Sequence, residues 1–175
     1  MVRPPNLIKA MNVFSITNVL IFGACLSGLV FLLLMIGVRI NPRIFLNTYP
    51  KDIRDKVAPQ TQIEKRLSRI FGITTMMLVV AVPLISSWCL KQQNSGEMWF
   101  VLLFLNAFGV IFCFNLVDLL LDCVLVSMTP KFVVLPGTEG MSGYKNYFHH
   151  FRGFLIGTMA SVVLGLLIAA IVFIL

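Results

Sequence analysis

Charged residues are scarce in this sequence. Asp, Glu, Lys and Arg make up 12% of the 175 residues and apolar residues make up 58%, whereas soluble proteins average about 25% charged and about 45–50% apolar residues. Acidic residues are the scarcer charged class, with 7 Asp and Glu against 14 Lys and Arg. This composition excludes an ordinary soluble enzyme, a disordered chain and a basic nucleic-acid-binding module with a polar surface. It indicates an integral membrane protein.

Short catalytic and metal-binding motifs are also missing. The sequence contains no Cys-x-x-Cys pair, no His-Glu-x-x-His, no Gly-x-Ser-x-Gly and no nucleotide-binding glycine loop. Its four cysteines lie in or beside apolar segments, where we expect small buried side chains rather than disulfides or metal ligands. The functional hypothesis must therefore come from topology and from the few polar residues inside apolar segments.

Four long apolar segments dominate the chain. They cover about residues 16–38, 69–90, 98–126 and 153–175, and each can supply the roughly 20 apolar residues that a transmembrane helix requires. The first segment is too long for the apolar region of a signal peptide, so we expect it to remain as a helix. The predicted fold is all-α: an integral membrane four-helix transmembrane bundle, in a single domain over residues 1–175.

The basic residues are unevenly distributed between the two sides of this bundle. Eleven of the 14 Lys and Arg fall in or at the edges of the connections 39–68 and 127–152, and only Arg3, Lys9 and Lys91 fall on the other side. The positive-inside rule then predicts that both connections are cytoplasmic and that both termini are on the outer side.

This charge distribution also predicts the location and the partners. We expect an integral membrane protein of the plasma membrane, with membrane lipids as partners, because anionic head groups attract Lys and Arg. We expect no nucleic-acid partner, because no RNA- or DNA-binding motif accompanies the charge.

Local signals mark the expected ends of the helices. Asn41-Pro42 should end the first span and Thr129-Pro130 the third, since a residue before proline disfavours the helical conformation. The segment from Thr61 to Glu64 fits a capping box, which predicts a helix that begins there and continues into the second span. Pro136-Gly137 fits the central pair of a type II turn. An aromatic cluster at 144–151 is expected at the membrane interface, before the fourth span.

The fourth span carries small residues at a spacing of four. Gly153, Gly157, Ser161 and Gly165 recur along one face, followed by Ala169, and such a stripe lets another helix approach closely. The pattern favours packing against another span of the same chain, with contact between two copies in a homo-oligomer as the alternative.

Two acids interrupt the third span and define the candidate site. At about 100° per residue, Asn115, Asp118 and Asp122 lie within about 60° of one another on a helix. A carboxylate inside the membrane is costly and normally faces a protein interior or a wet cavity. Asp118 and Asp122 are therefore candidate catalytic residues and candidate ligands of a divalent cation. Asn115 is a candidate substrate-binding residue.

Polar residues of the two connections would complete this site. Glu139 and His149 are candidate auxiliary catalytic groups, and Arg43 and Arg66 are candidate clamps for an anionic head group. The alternative is structural: either acid pairs with a nearby arginine and fixes the bundle, His149 serves only at the interface, and Glu139 only shapes a turn. Asn106, on the opposite side of the third span from Asn115, is predicted to make an interhelical hydrogen bond.

The predicted function is that of a small polytopic membrane protein. The leading hypothesis is an inner-leaflet enzyme or binding protein for a lipid-like anionic substrate that uses the intramembrane Asp pair. The second is a transporter or channel subunit in which Asp118 is the coupling group. The third is a membrane assembly or scaffold protein without a catalytic site.

Overall fold

Four long helices make up most of the protein. The computed structural model describes residues 13–94 and 98–175, and within these ranges it contains no β-strand. Each long helix is long and apolar enough to cross a membrane, which confirms the all-α four-helix transmembrane architecture. Arg3 and Lys9 lie outside the described residues, and the side of the membrane that each terminus occupies stays a prediction. The long helices are α1 (Val13–Ile40), α3 (Gln62–Gln93), α4 (Phe100–Met128) and α5 (Tyr147–Ile174), and a short α2 (Lys51–Lys56) lies in the first connection.

The start of α3 follows from its capping residues. The Glu64 amide donates to Thr61 Oγ1 over 3.2 Å, and the Thr61 amide donates to Glu64 Oε2 over 2.8 Å. This reciprocal pair satisfies two amides that have no partner within the helix. The helix therefore begins at Gln62 and not at the apolar residues near 69, as the capping box predicts.

The other helix ends also follow from short-range chemistry. α1 stops at Ile40, and the Asn41 side chain accepts from the Arg43 amide at the start of a 3-10 turn. α4 stops at Met128 because Thr129 adopts a left-handed conformation (φ 42°) ahead of Pro130. α5 begins at Tyr147, so part of the aromatic cluster belongs to its first turns rather than to a separate interfacial segment.

The helix α4 packs against all three of the other long helices, and its contacts with α5 and α1 are the most extensive in the bundle. Leu103, Ala107 and Ile111 of α4 form one buried cluster with Ile168, Ala169 and Val172 of α5. A second buried cluster joins α4 to the other two helices. It consists of Val110 from α4, Val82 from α3, and Leu26 and Val30 from α1.

The small residues of α5 face α4 within the same chain. A Cβ atom on Gly165 would lie 3.1 Å from the Phe108 backbone nitrogen, and one on Gly157 would collide with the Asn115 side chain. Ser161 is fully buried. The close approach of α5 to α4 thus requires these positions to stay small. A homo-oligomeric contact through the stripe stays a prediction.

A polar cluster ties three helices together in the bundle interior. Asn106 of α4 donates to Ser86 Oγ and Ser87 Oγ of α3, over 3.0 Å in each case. Asn18 of α1 donates to Asn106 Oδ1 over 2.8 Å and to Ser86 Oγ over 2.7 Å. All four residues are buried. The predicted interhelical hydrogen bond of Asn106 is confirmed, and Asn18 is an additional partner.

The two connections fold together over one end of the bundle. We call residues 41–60 and 129–146 the cap. Leu46, Ile53 and Leu135 form a small buried cluster that joins its two halves, and an Arg43–Glu64 ion pair of 2.9 Å ties it to α3. The turn at Pro136-Gly137 closes as expected, because Gly137 has φ 81° and the Thr138 amide donates to the Leu135 carbonyl.

Replacement of Asn106 tests the importance of the polar cluster. Asn106→Ala removes the side chain that bonds to three neighbours, so we expect the free energy of unfolding to fall by about 1–2 kcal/mol. Reversible unfolding in detergent, followed by circular dichroism, measures the change. Ser127→Ala is the matched control, since Ser127 is exposed and its hydroxyl donates to the Val124 carbonyl of its own helix. Equal stability of the two variants would show that the cluster contributes nothing.

Candidate functional site

A cavity of about 540 Å³ lies beneath the cap. Its walls come from α1 and α5, with α4 between them and the cap above. Most of the lining is apolar, including Leu34 and Val38 of α1 and Phe114 and Leu119 of α4. Cavities that hold small ligands commonly have about 300–1,000 Å³ of space and a mainly apolar lining with a few polar groups. This cavity has the size and the lining of a ligand site.

An acid and a histidine meet in this cavity. Asp122 of α4 and His150 of α5 both line it, and Asp122 Oδ2 lies 2.7 Å from His150 Nδ1. An ionised carboxylate only accepts hydrogen bonds, so this contact places a proton on Nδ1 and leaves Nε2 as the exchangeable position of the ring. The pair therefore has the arrangement of an oriented acid–base group.

The second acid lies one helical turn earlier and has no such partner. Asp118 lines the same cavity, and among the residues that the structure describes it makes no hydrogen bond or ion pair. Its charged neighbours are Asp122 and His150. The structural alternative predicted an arginine partner for either acid. Neither acid pairs with an arginine within residues 13–94 and 98–175, because Arg43 bonds to Glu64 and Asp122 bonds to His150.

Asn115 and His149 line the cavity but make contacts of their own. The Asn115 amide donates to the Phe154 carbonyl and to Thr158 Oγ1 of α5, over 3.0 Å each. His149 Nε2 lies 3.0 Å from the Thr48 carbonyl in the cap. Asn115 therefore holds α5 against α4, and His149 holds α5 against the cap.

The remaining candidates lie outside the cavity. Glu139 accepts from the Gly137 amide within its own turn and is exposed. Arg43 donates to Glu64 and to the Ala58 and Pro59 carbonyls, and the side chain of Arg66 is exposed. None of the three lines the cavity. The structure thus brings together four of the predicted site residues, namely Asn115, Asp118, Asp122 and His149.

The geometry gives little support to a metal site. Across the described part of the chain, no group of three or more His, Cys, Asp or Glu side chains converges closely enough to hold a metal ion. Divalent cations are usually held by more donors than the two carboxylates of one helix can supply. A cation between Asp118 and Asp122 stays a prediction.

Two tyrosines of the cap, Tyr49 and Tyr144, also line the cavity. The sequence pattern predicted Tyr144 only as part of an interfacial aromatic cluster, and neither tyrosine was a candidate site residue. Tyr49 Oη donates to the Val133 carbonyl over 2.9 Å, and the Leu135 amide donates to Tyr144 Oη over 2.9 Å. The two rings meet edge to face with centroids 6.1 Å apart. Burial of the Tyr49 hydroxyl, together with the neighbouring Tyr144, raises the pKa of Tyr49 above its usual value.

Comparison with family models, with curated proteins and with solved structures finds no match for this chain. The cavity must therefore be interpreted from its own chemistry. It combines an apolar volume, an oriented histidine–carboxylate pair and a second carboxylate that has no hydrogen-bond or ion-pair partner among the described residues. Such a set can bind an apolar chain with a polar end and can exchange a proton with that end.

The ionisation of Tyr49 tests the packing of the cap. The unfolded chain releases a tyrosine proton near the usual pKa of about 10, whereas the folded protein retains the proton of Tyr49. The contribution of Tyr49 to stability should therefore be constant below about pH 10 and be lost as the pH rises above it. Ultraviolet absorbance titration should show a late phenolate transition that Tyr49→Phe removes. A wild-type titration without this late transition would contradict the raised pKa of Tyr49.

Proposed function

We propose that this small polytopic membrane protein is an enzyme or binding protein that takes a lipid-like molecule into the cavity beneath its cap. The observation that carries the proposal is the position of the Asp122–His150 pair and of Asp118 in a mainly apolar cavity. An apolar chain would lie along α1 and α4, and the polar end of the molecule would lie against the three ionisable groups.

The acid–base pair supports an enzyme more than a passive carrier. Asp122 fixes the tautomer and the orientation of His150, as carboxylates do in catalytic acid–base pairs. His150 Nε2 would then accept a proton from the polar end of the substrate or return one to it. Asp118 would position that end or act as the second proton-exchanging group.

The lining of the cavity does not supply the expected clamp for an anionic head group. Arg43 is committed to Glu64 and to cap carbonyls, and no Lys or Arg of the described chain lines the cavity. The proposal therefore keeps the lipid-like substrate without the anionic head group.

The transporter hypothesis has less support because the bundle is packed beyond the cavity. Leu103, Ala107 and Val110 of α4 have no exposed surface, and Asn106 fills its hydrogen bonds with neighbouring helices. A coupling group in a transporter needs a path to both sides of the membrane. The geometry favours a site confined to the cap end of the bundle.

We also propose that the cap faces the cytoplasm, so that the cavity serves the inner leaflet of the plasma membrane. Single cysteines can be introduced at exposed positions after the native cysteines are replaced. A membrane-impermeant maleimide should label Asn94→Cys in intact cells and label Lys56→Cys only after permeabilisation, because Lys56 lies in the basic connection. Labelling of Lys56→Cys in intact cells would reverse the orientation.

Filling of the cavity tests the proposed site. Gly153 lines the cavity, and a Cβ atom there would meet nothing within 4 Å, so Gly153→Leu should narrow the space without disturbing the helix. Gly72→Leu on α3 is the matched control, because a Cβ atom on Gly72 also meets nothing within 4 Å and Gly72 does not line the cavity. The measurement is mass spectrometry of amphiphiles that co-purify with each protein.

We expect the wild type and Gly72→Leu to retain the same amphiphile and Gly153→Leu to lose most of it. If the protein is an enzyme, His150→Gln and Asp122→Asn should retain a form of the amphiphile that differs in mass from the one retained by the wild type. Equal retention by wild type and Gly153→Leu would reject the cavity as the site.

A further inference from the structure

We infer that the ligand of the cavity carries an ammonium cation on its polar end. This inference rests on the proposed function, since it assigns a chemical class to the amphiphile that the cavity would take. The assignment comes from the charges and the aromatic rings that surround the space.

The charges of the cavity leave one carboxylate to be neutralised. His150 can compensate Asp122, to which it is bonded over 2.7 Å. Asp118 has no hydrogen bond or ion pair within the described ranges, and the cavity lining there includes no Lys or Arg. A carboxylate inside a membrane protein is stable only with a partner or with water. A cationic group on the ligand supplies that partner.

The aromatic residues of the lining favour the same charge. Three rings, those of Phe114, Tyr49 and Tyr144, come from α4 and from both halves of the cap, and Phe45 and Phe154 add two more. The faces of aromatic rings attract cations, and recognition of quaternary ammonium groups by several rings is the common use of this interaction. The hydroxyl groups of both tyrosines bond to cap atoms, which holds the rings in place.

The opposite charge has few partners in the cavity. A phosphate or carboxylate would meet two acids, and the amide of Asn115 is already committed to α5. A neutral polar end could donate a hydrogen bond to Asp118 but would leave its negative charge uncompensated. An ammonium group satisfies both the carboxylate and the rings.

The test compares amphiphiles that share one alkyl chain and differ only in the polar end. Trimethylammonium, carboxylate and hydroxyl forms would displace a fluorescent amphiphile from the purified protein in a detergent with a neutral sugar head group. We expect the ammonium form to bind at least about tenfold more tightly than the other two. The formal net charge of the whole chain is +7, so non-specific attraction would favour the carboxylate form instead.

Two variants separate the sources of the preference. Asp118→Asn should remove most of the preference for the ammonium form and leave binding of the hydroxyl form unchanged. Phe114→Leu keeps an apolar side chain without a ring, and should reduce the preference by about threefold. It also provides a test if Asp118→Asn does not fold. Asp55→Asn, an exposed acid of α2 outside the cavity, is the matched control and should retain the full preference.

The outcomes distinguish the inference from the proposed function. If the hydroxyl or carboxylate form binds as tightly as the ammonium form, and Gly153→Leu weakens all three, the cavity is the site and the cationic assignment is wrong. If none of the three forms displaces the fluorescent amphiphile, and Gly153→Leu does not change its binding, the proposed function fails as well.

Discussion

The hydrogen bonds of Asn106 are the constraint on which the arrangement of the bundle depends. Apolar contacts between helices in a membrane are weakly directional, because lipid tails are as apolar as the side chains that they replace. The bonds from Asn106 to Asn18, Ser86 and Ser87 fix the rotation of three helices about their own axes. On the same helix α4, Asp118 is rotated by about 120° from Asn106. Because Asn106 faces α1 and α3, Asp118 must face a different direction, and it lines the cavity.

The cavity exists because the connections are folded and not merely links between spans. α1 and α5 both pack against α4, and the space between them would be open at its end without the cap. Tyr49 and Tyr144 close this end. Tyr49 Oη donates to the Val133 carbonyl in the other half of the cap, and Tyr144 Oη accepts from the Leu135 amide in its own half. His149 holds α5 to the Thr48 carbonyl. The residues that build the cap thus also supply part of the cavity lining. The cavity therefore forms only when the two connections fold.

Sequence patterns were sufficient where a few neighbouring residues determine the structure. The capping box at Thr61 and the proline after Thr129 fixed helix ends, and the polar stripe on α4 predicted that Asp118 and Asp122 share a side. Contacts between residues far apart in the sequence could not be predicted from such local patterns. Successive residues of a helix point about 100° apart, so only the rotation of α5 against α4 decides that His150, rather than His149, meets Asp122. Asn18 gave no local signal for its contact with Asn106, 88 residues away.

The unequal partners of the two acids argue against a purely structural role. Ion pairs that fix a bundle join every charge to an opposite charge, because a single unpaired carboxylate in a membrane protein is destabilising. Here Asp122 has His150, while Asp118 faces the cavity without a partner from the described chain. The cap has two arginines, of which Arg43 is bonded to Glu64 and Arg54 to the Asn47 carbonyl. A structural pair therefore accounts for one acid, and for the other acid we propose a ligand in the cavity.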